Sequence, residues 1–189
     1  MYYKDDRNFT DKIHKEVAVP LIYQRLQWFD IRNSTEEEDN NKAIDYFARD
    51  INGNIIAVQE RFRRLQQAKN FTDFTLRYQR PNENQHFSEF YKMFNTAMNV
   101  FHYYMIYGVI SDNFILKRFV VLNLNMFYEA IQNKTIVVGE NSSIFSKVEN
   151  NILFAGLGFN KDKSSSFVSF DIKLLKQTVP NIILLSAGF

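Results

Sequence analysis

Four residues, Asp50-Ile-Asn-Gly53, constrain this chain more than any other stretch of it. An Asn-Gly pair tolerates the positive φ angles that a tight β-hairpin turn demands, and its flanks carry the matching strand patterns. Residues 42–50 and 54–63 read as two strands folded about this turn. In the second, Ile56, Val58 and Phe62 share one face, and Gln59, Arg61 and Arg63 share the other.

The segments around the hairpin alternate in type. Ile13, Val17, Leu21 and Trp28 fall near helical spacing behind a Thr10-Asp11 cap, and Pro20 predicts a kink or two shorter helices. Residues 33–41 read as a loop by composition, with the acidic run Glu36-Glu-Glu-Asp39 solvated within it. Residues 73–80 form a third strand with Phe74, Leu76 and Tyr78 on one side, ended by Pro81. Ser88 caps a helix from Glu89 to about Met98. Residues 103–110 and 114–124 read as buried strands joined through Ser111-Asp-Asn113, and Asn125 as the cap of a helix over 126–132. Short strands at 135–138, 152–157 and 166–172 and a last helix at 172–178 complete the pattern, with 160–166 an exposed loop. The expectation is an α/β fold with a central mixed sheet flanked by helices.

A length of 189 residues suits a single domain. The 19 Phe and 10 Tyr read as core-filling residues, and Phe101, Tyr103, Tyr104 and Tyr107 as core in preference to a base-stacking platform. With no cysteine, disulfides and thiolate zinc sites are excluded. The polar start, Met1-Tyr-Tyr-Lys-Asp-Asp-Arg-Asn, is no signal peptide, and no apolar run approaches the roughly 20 residues that cross a bilayer. The expected setting is the cytoplasm, including that of a phage-infected cell. A net charge of +2 decides nothing about nucleic acid, because the local distribution matters. Arg61, Arg63, Arg64, Lys69, Arg77 and Arg80 place six positive charges within twenty residues. His14, His86 and His102 show no metal-ligand spacing, and the phosphate-loop, GxGxxG and GxSxG motifs are absent.

The segment Ala43-Ile-Asp-Tyr-Phe-Ala-Arg-Asp-Ile-Asn-Gly-Asn-Ile-Ile-Ala-Val-Gln-Glu-Arg-Phe-Arg63 places an acid early in one strand. Fourteen residues on, across the hairpin, an amide and a cation alternate on one face of the next strand. A helix precedes this pair; a strand and a helix follow it. That order resembles the PD-(D/E)XK nuclease superfamily, and within it the Mrr-like branch whose second motif is Gln-x-Lys. The resemblance covers about residues 10–98 and leaves 99–189 as a family-specific extension. It implies that Asp45 binds the metal, that Gln59 is the second ligand with the Glu60 main-chain carbonyl as a third, that Arg61 stands in the lysine position, and that Glu16 is the acid of the leading helix. The implied cofactor is Mg²⁺ or Mn²⁺, and the implied activity is hydrolysis of DNA phosphodiesters, in restriction, phage or mobile-element biology by analogy. Arg63, Arg64, Lys69, Arg77 and Arg80 are the candidate phosphate contacts. Many members of that superfamily act as dimers, so a homodimer is among the expectations.

The residue types suit the chemistry. A divalent ion polarises a phosphate oxygen and lowers the pKa of an attacking water, and magnesium accepts a ligand set of one or two carboxylates with carbonyls and water. Arginine stabilises developing negative charge but stays protonated and cannot serve as a general base. Lys92, three residues after Glu89, is the candidate substitute for the missing lysine. Asp45 has a second reading, as a cross-strand ion-pair partner of Arg61 or Arg77. Two rival functions stand beside nuclease: an inactive nuclease-like module that binds nucleic acid or protein, and an interaction or inhibitor protein whose Phe/Tyr-rich second half forms a partner surface.

Overall fold

The hairpin forms where its turn chemistry places it. In the computed structural model, which describes residues 2–68, 72–79, 88–162 and 164–189, β2 (Tyr46–Arg49) and β3 (Ile55–Arg64) pair antiparallel with Tyr46 opposite Val58. Gly53 turns the chain at φ +79°, and Asp50 Oδ1 accepts the N–H groups of Asn52 and Asn54, each at 2.9 Å. Asx-type bonding of this kind satisfies turn donors that no strand can reach.

β3 is the inner strand on which the main sheet is built. The sheet runs β1 (Phe29–Asn33), β2, β3, β5 (Tyr103–Ile110), β6 (Leu116–Asn123), β12 (Ile183–Ala187). All neighbours are antiparallel except β3 and β5, whose parallel pairing requires a crossover. The crossover contains α3 (Leu65–Ala68), β4 (Asp73–Gln79) and α4 (Glu89–Asn99). β4 leaves the main sheet and pairs with β11 (Ser166–Asp171), which pairs in turn with β10 (Gly156–Phe159). A third sheet joins β7 (Ile136–Val137), β9 (Ile152–Phe154) and β8 (Lys147–Glu149). The fold is therefore α/β, with a central six-stranded mixed sheet flanked by helices.

Both faces of that sheet are covered. Tyr46, Ile56 and Val58 pack beneath Ala18, Ile22 and Tyr23. Ala57, Tyr103, Met105 and Tyr107 face the other way, into a core with Phe74, Phe90, Met93, Phe127 and Phe170. That second core is largely aromatic, with Phe127 edge-on to Phe170 and Phe74 stacked on Phe170. Tyr103 and Tyr107 are fully buried as expected, whereas Phe101 is 86% exposed. No helix among the described residues is long and apolar enough to cross a membrane.

Several local expectations need correction. The leading segment is one helix, α1 (Tyr2–Ile13), that continues as a π-helical turn region over His14–Tyr23 with Pro20 inside it. Proline has no N–H for the i−4 bond, and the wider winding absorbs the gap, as in the Gln24 N–H donating to Val19 O at 3.1 Å. Trp28 lies beyond this helix, at the start of β1. The acidic run is no loop but the first turn of α2 (Glu36–Lys42), set by a reciprocal capping box between Thr35 and Glu38. Four carboxylates there complement the helix dipole. Asn123, not Asn125, caps α5 (Leu124–Gln132) by accepting from the Met126 N–H. Asn125 instead ties β5 to α4, accepting the Tyr103 N–H and donating to the carbonyls of Ala97 and Val100. The last helix, α6 (Ile172–Thr178), stands where expected. β1, β8 and β12 had no counterpart in the sequence reading.

Gly156 controls how closely the segment 141–146 approaches β10 and β11. A Cβ there would lie 2.2 Å from the Ile144 carbonyl oxygen, a backbone atom that cannot swing aside. Gly156→Ala is expected to cost about 1–3 kcal/mol by overpacking, read as a lowered midpoint in urea denaturation, whereas an unchanged midpoint would mean that this wall is free to move.

Candidate functional site

The turn that ends α2 aims Asp45 at β3. Ala43 adopts the left-handed conformation (φ +51°) and closes the helix, and its carbonyl accepts the buried Tyr103 hydroxyl at 2.6 Å. The Lys42 carbonyl accepts from Thr96 Oγ1 of α4, also at 2.6 Å. Asp45 is then held through its main chain, its N–H donating to Val58 O and its carbonyl accepting from the Ser34 N–H, each at 2.9 Å. Beyond the start of β2 no backbone carbonyl is left for the next donor on β3. The Asp45 side chain fills that role: the Glu60 N–H donates to Asp45 Oδ2 at 2.6 Å.

The environment of this carboxyl is anionic. Burial pushes the Asp45 pKa up to about 8, the Glu60 N–H opposes the shift, and the Asp39, Glu60 and Glu89 carboxylates add to it. Among the described residues no cation lies within ion-pair distance of Asp45, so the cross-strand pairing with Arg61 or Arg77 does not form. Gln59, the residue before Glu60 on β3, has a buried Oε1 with no hydrogen-bond partner. A buried amide oxygen left unpaired costs about 1–3 kcal/mol, and a hard cation would satisfy it.

Strand alternation divides the Gln59-Glu60-Arg61 triplet between two faces. The Glu60 side chain turns under the leading helix, where Oε1 accepts the Tyr23 hydroxyl at 2.7 Å and stands 2.9 Å from His14 Nδ1. His14 stacks on Tyr46 at 3.6 Å between ring centroids. Burial, and then the Glu60 carboxylate, raise the Tyr23 phenol well above its ordinary pKa. Sequence reading missed this cluster because His14 and Glu60 are 46 residues apart with no spacing signal.

Arg61 projects from the face opposite Glu60 and is anchored. Its Nη1 donates to both Glu89 oxygens, at 2.7 and 2.8 Å, and to the Thr75 carbonyl at 2.7 Å. Glu89, the first residue of α4, also accepts the Arg77 N–H at 3.0 Å. Arg61 therefore joins β3, β4 and α4, and Glu89 is a site residue that sequence reasoning did not single out. Lys92 lies one turn further along α4, half-buried, and no carboxylate among the described residues pairs with it.

The other candidates separate into two groups. Arg61, Arg63 and Arg77 line one cavity of about 440 Å³, shared with Thr75, Phe145 and Phe167. Arg63 donates to Thr75 Oγ1 within it. Arg64 faces elsewhere, its guanidinium 4.0 Å above the Phe9 ring. Glu16 is an exposed residue of the leading helix, 3.9 Å from Lys12 one turn back, and is not brought to Asp45. Lys69 and Arg80 lie outside the described residues. Among the described residues no three His, Asp or Glu side chains are grouped so as to hold a metal ion. Compared with protein-family models and with curated proteins, the sequence matches none.

The raised pKa of Asp45 has a definite sign in the metal-free protein. The unfolded carboxyl titrates near 4 and the folded one near 8, so its stabilising contribution is complete below about pH 4 and is lost as pH rises through about 8. Asp45→Asn should therefore gain stability relative to wild type between pH 5 and pH 9, by on the order of 4 kcal/mol. Denaturation curves at the two pH values measure this, and a pH-independent difference would show that the carboxyl stays ionised throughout.

Proposed function

We propose that this protein is a metal-dependent endonuclease that hydrolyses DNA phosphodiester bonds in the cytoplasm, and that Asp45 and Gln59 hold its divalent cation. The reading is supported by a carboxyl without a counter-charge, held to β3 by the Glu60 N–H, and by the buried, unpartnered amide oxygen of the preceding residue of that strand. The donor set suits a hard ion that keeps several waters, Mg²⁺ or Mn²⁺, with the Glu60 carbonyl as a third protein ligand. When bound, such an ion supplies Lewis-acid polarisation of a phosphate oxygen and a more acidic water. The resemblance of residues 43–63 to the Gln-x-Lys branch of the PD-(D/E)XK superfamily points the same way.

The chain's own groups divide the remaining work. Asp45 supplies the carboxyl that a cation would bind in its ionised form, displacing the proton, and the Glu60 N–H fixes its orientation. Arg61 keeps Glu89 in place through two short contacts and offers its remaining N–H groups toward the cavity. Arg63 and Arg77 supply further positive charge for a strand passing the site. Lys92 provides a proton-transfer group that arginine cannot.

One observation favours a second reading, a nucleic-acid-binding module without catalysis: Arg61, in the lysine position, is engaged by Glu89 and Thr75. The two readings part in a single assay. Supercoiled DNA incubated with Mg²⁺ or Mn²⁺ is expected to be nicked by wild type and at least about 100-fold more slowly by Asp45→Ala. In a thermal-shift measurement on the same samples, Mn²⁺ should raise the melting temperature of wild type and leave Asp45→Ala unchanged. DNA retention without nicking, and without a metal-dependent shift, would select the binding module.

A further inference from the structure

The cavity beside Arg61 has opposite charge at its two ends. Its floor is the outward face of β4 and β11, whose antiparallel register places Arg77 opposite Phe167, Thr75 opposite Ser169, and Asp73 opposite Asp171. Walking four residues along β4, from Arg77 to Asp73, covers roughly 13 Å. Over that distance the surface passes from cationic to hydroxylic to anionic. Arg61 of β3 strengthens the cationic end, against the carboxylate of Glu89, and Arg63, on Thr75 at mid-cavity, also acts on Asp73. Asp73 and Asp171 face each other at the far end, with Thr72 Oγ1 donating to Asp171 Oδ2 at 2.7 Å.

The side wall is held in place. Ser169 Oγ donates to the Ile144 carbonyl at 2.6 Å, the Leu157 N–H donates to Ser143 O at 2.7 Å, and Asn141 Nδ2 donates to the Phe145 carbonyl at 2.9 Å. These bonds fix a turn whose Phe145 ring lines the cavity yet remains 73% exposed. An exposed aromatic ring on a braced loop at the cavity wall is placed to stack on a flat ligand.

We propose that this cavity receives one unpaired nucleotide of a single-stranded nucleic acid. Its phosphate sits among Arg61, Arg63 and Arg77, its sugar passes Thr75 and Ser169, its base lies against Phe145, and the base's N–H donors point to Asp73 and Asp171. The volume of about 440 Å³ is in the range of pockets that take a ligand the size of one nucleotide. The aspartate end requires a base whose hydrogen-bonding edge is free, which a duplex does not present. The inference rests on the proposed action on nucleic acid and adds to it the strandedness of the substrate.

Fluorescence anisotropy with a labelled oligonucleotide of about twelve residues, single-stranded or annealed to its complement, tests this in EDTA, where no metal ion contributes. The single strand is expected to bind about tenfold tighter than the duplex, and Phe145→Ala and Arg77→Ala each to weaken it by about tenfold. Both side chains are exposed at the surface, so loss of folding is not a competing explanation. Arg77→Ala should also flatten the salt dependence by about one phosphate contact. Duplex binding as tight as single-strand binding, or variants that bind like wild type, would overturn the proposal while leaving the nuclease reading intact. Cavity-dependent binding without metal-dependent cleavage would do the reverse.

Discussion

The Glu60 N–H has lost its strand partner, and much of the molecule is arranged around the group that replaces it. β2 starts too late to offer a backbone acceptor opposite Glu60, so the Asp45 carboxyl accepts the bond at 2.6 Å. That substitution draws a carboxyl out of water and fixes it beside β3. The same residue extends its own carboxylate to the other face, onto Tyr23 and His14. Residue 60 thus locks the leading helix to the sheet and orients Asp45 at once. With a period of two along the strand, Gln59 and Arg61 have to face away from the leading helix, toward α4 and β4.

The charge on that second face is unevenly balanced. Arg61 is neutralised by Glu89 at hydrogen-bonding distance, but Asp45 has no counter-charge, and burial, with neighbouring carboxylates adding to it, raises its pKa to about 8. Burying an unpaired carboxyl is costly for the protein alone and is offset when a cation occupies the site. The arginine-lined cavity has the opposite surplus, Arg63 and Arg77 being free of carboxylate partners among the described residues. A divalent cation at Asp45 together with the positive charge of the cavity would supply the two elements that a metal-assisted attack on a phosphodiester uses.

What the sequence conveyed was local. The Asn-Gly turn, the alternation along β3 and the amphipathic α4 are each encoded within a dozen residues, and each forms as read. The Thr35-x-x-Glu38 capping box was equally local but lay under a run of charge that suggested a loop. The rest depends on distant partners. Glu89 becomes a site residue only when β4 brings Thr75 and Arg77 against Arg61, and the cavity only when β11 pairs with β4 some ninety residues further along the chain. β12, short and only half-buried, is a strand because β6 has an open edge for it. No window of sequence carries those pairings.

The central claim, a divalent cation held by Asp45 and Gln59, is tested most directly by calorimetric titration of Mn²⁺ into metal-free protein, wild type beside Asp45→Asn. One ion bound per wild-type chain, with the heat abolished in the variant and reduced in Gln59→Leu, is the expected result. Equal binding by all three proteins, or none by wild type, would contradict it and leave Asp45 as a ladder-capping residue whose charge serves the fold alone.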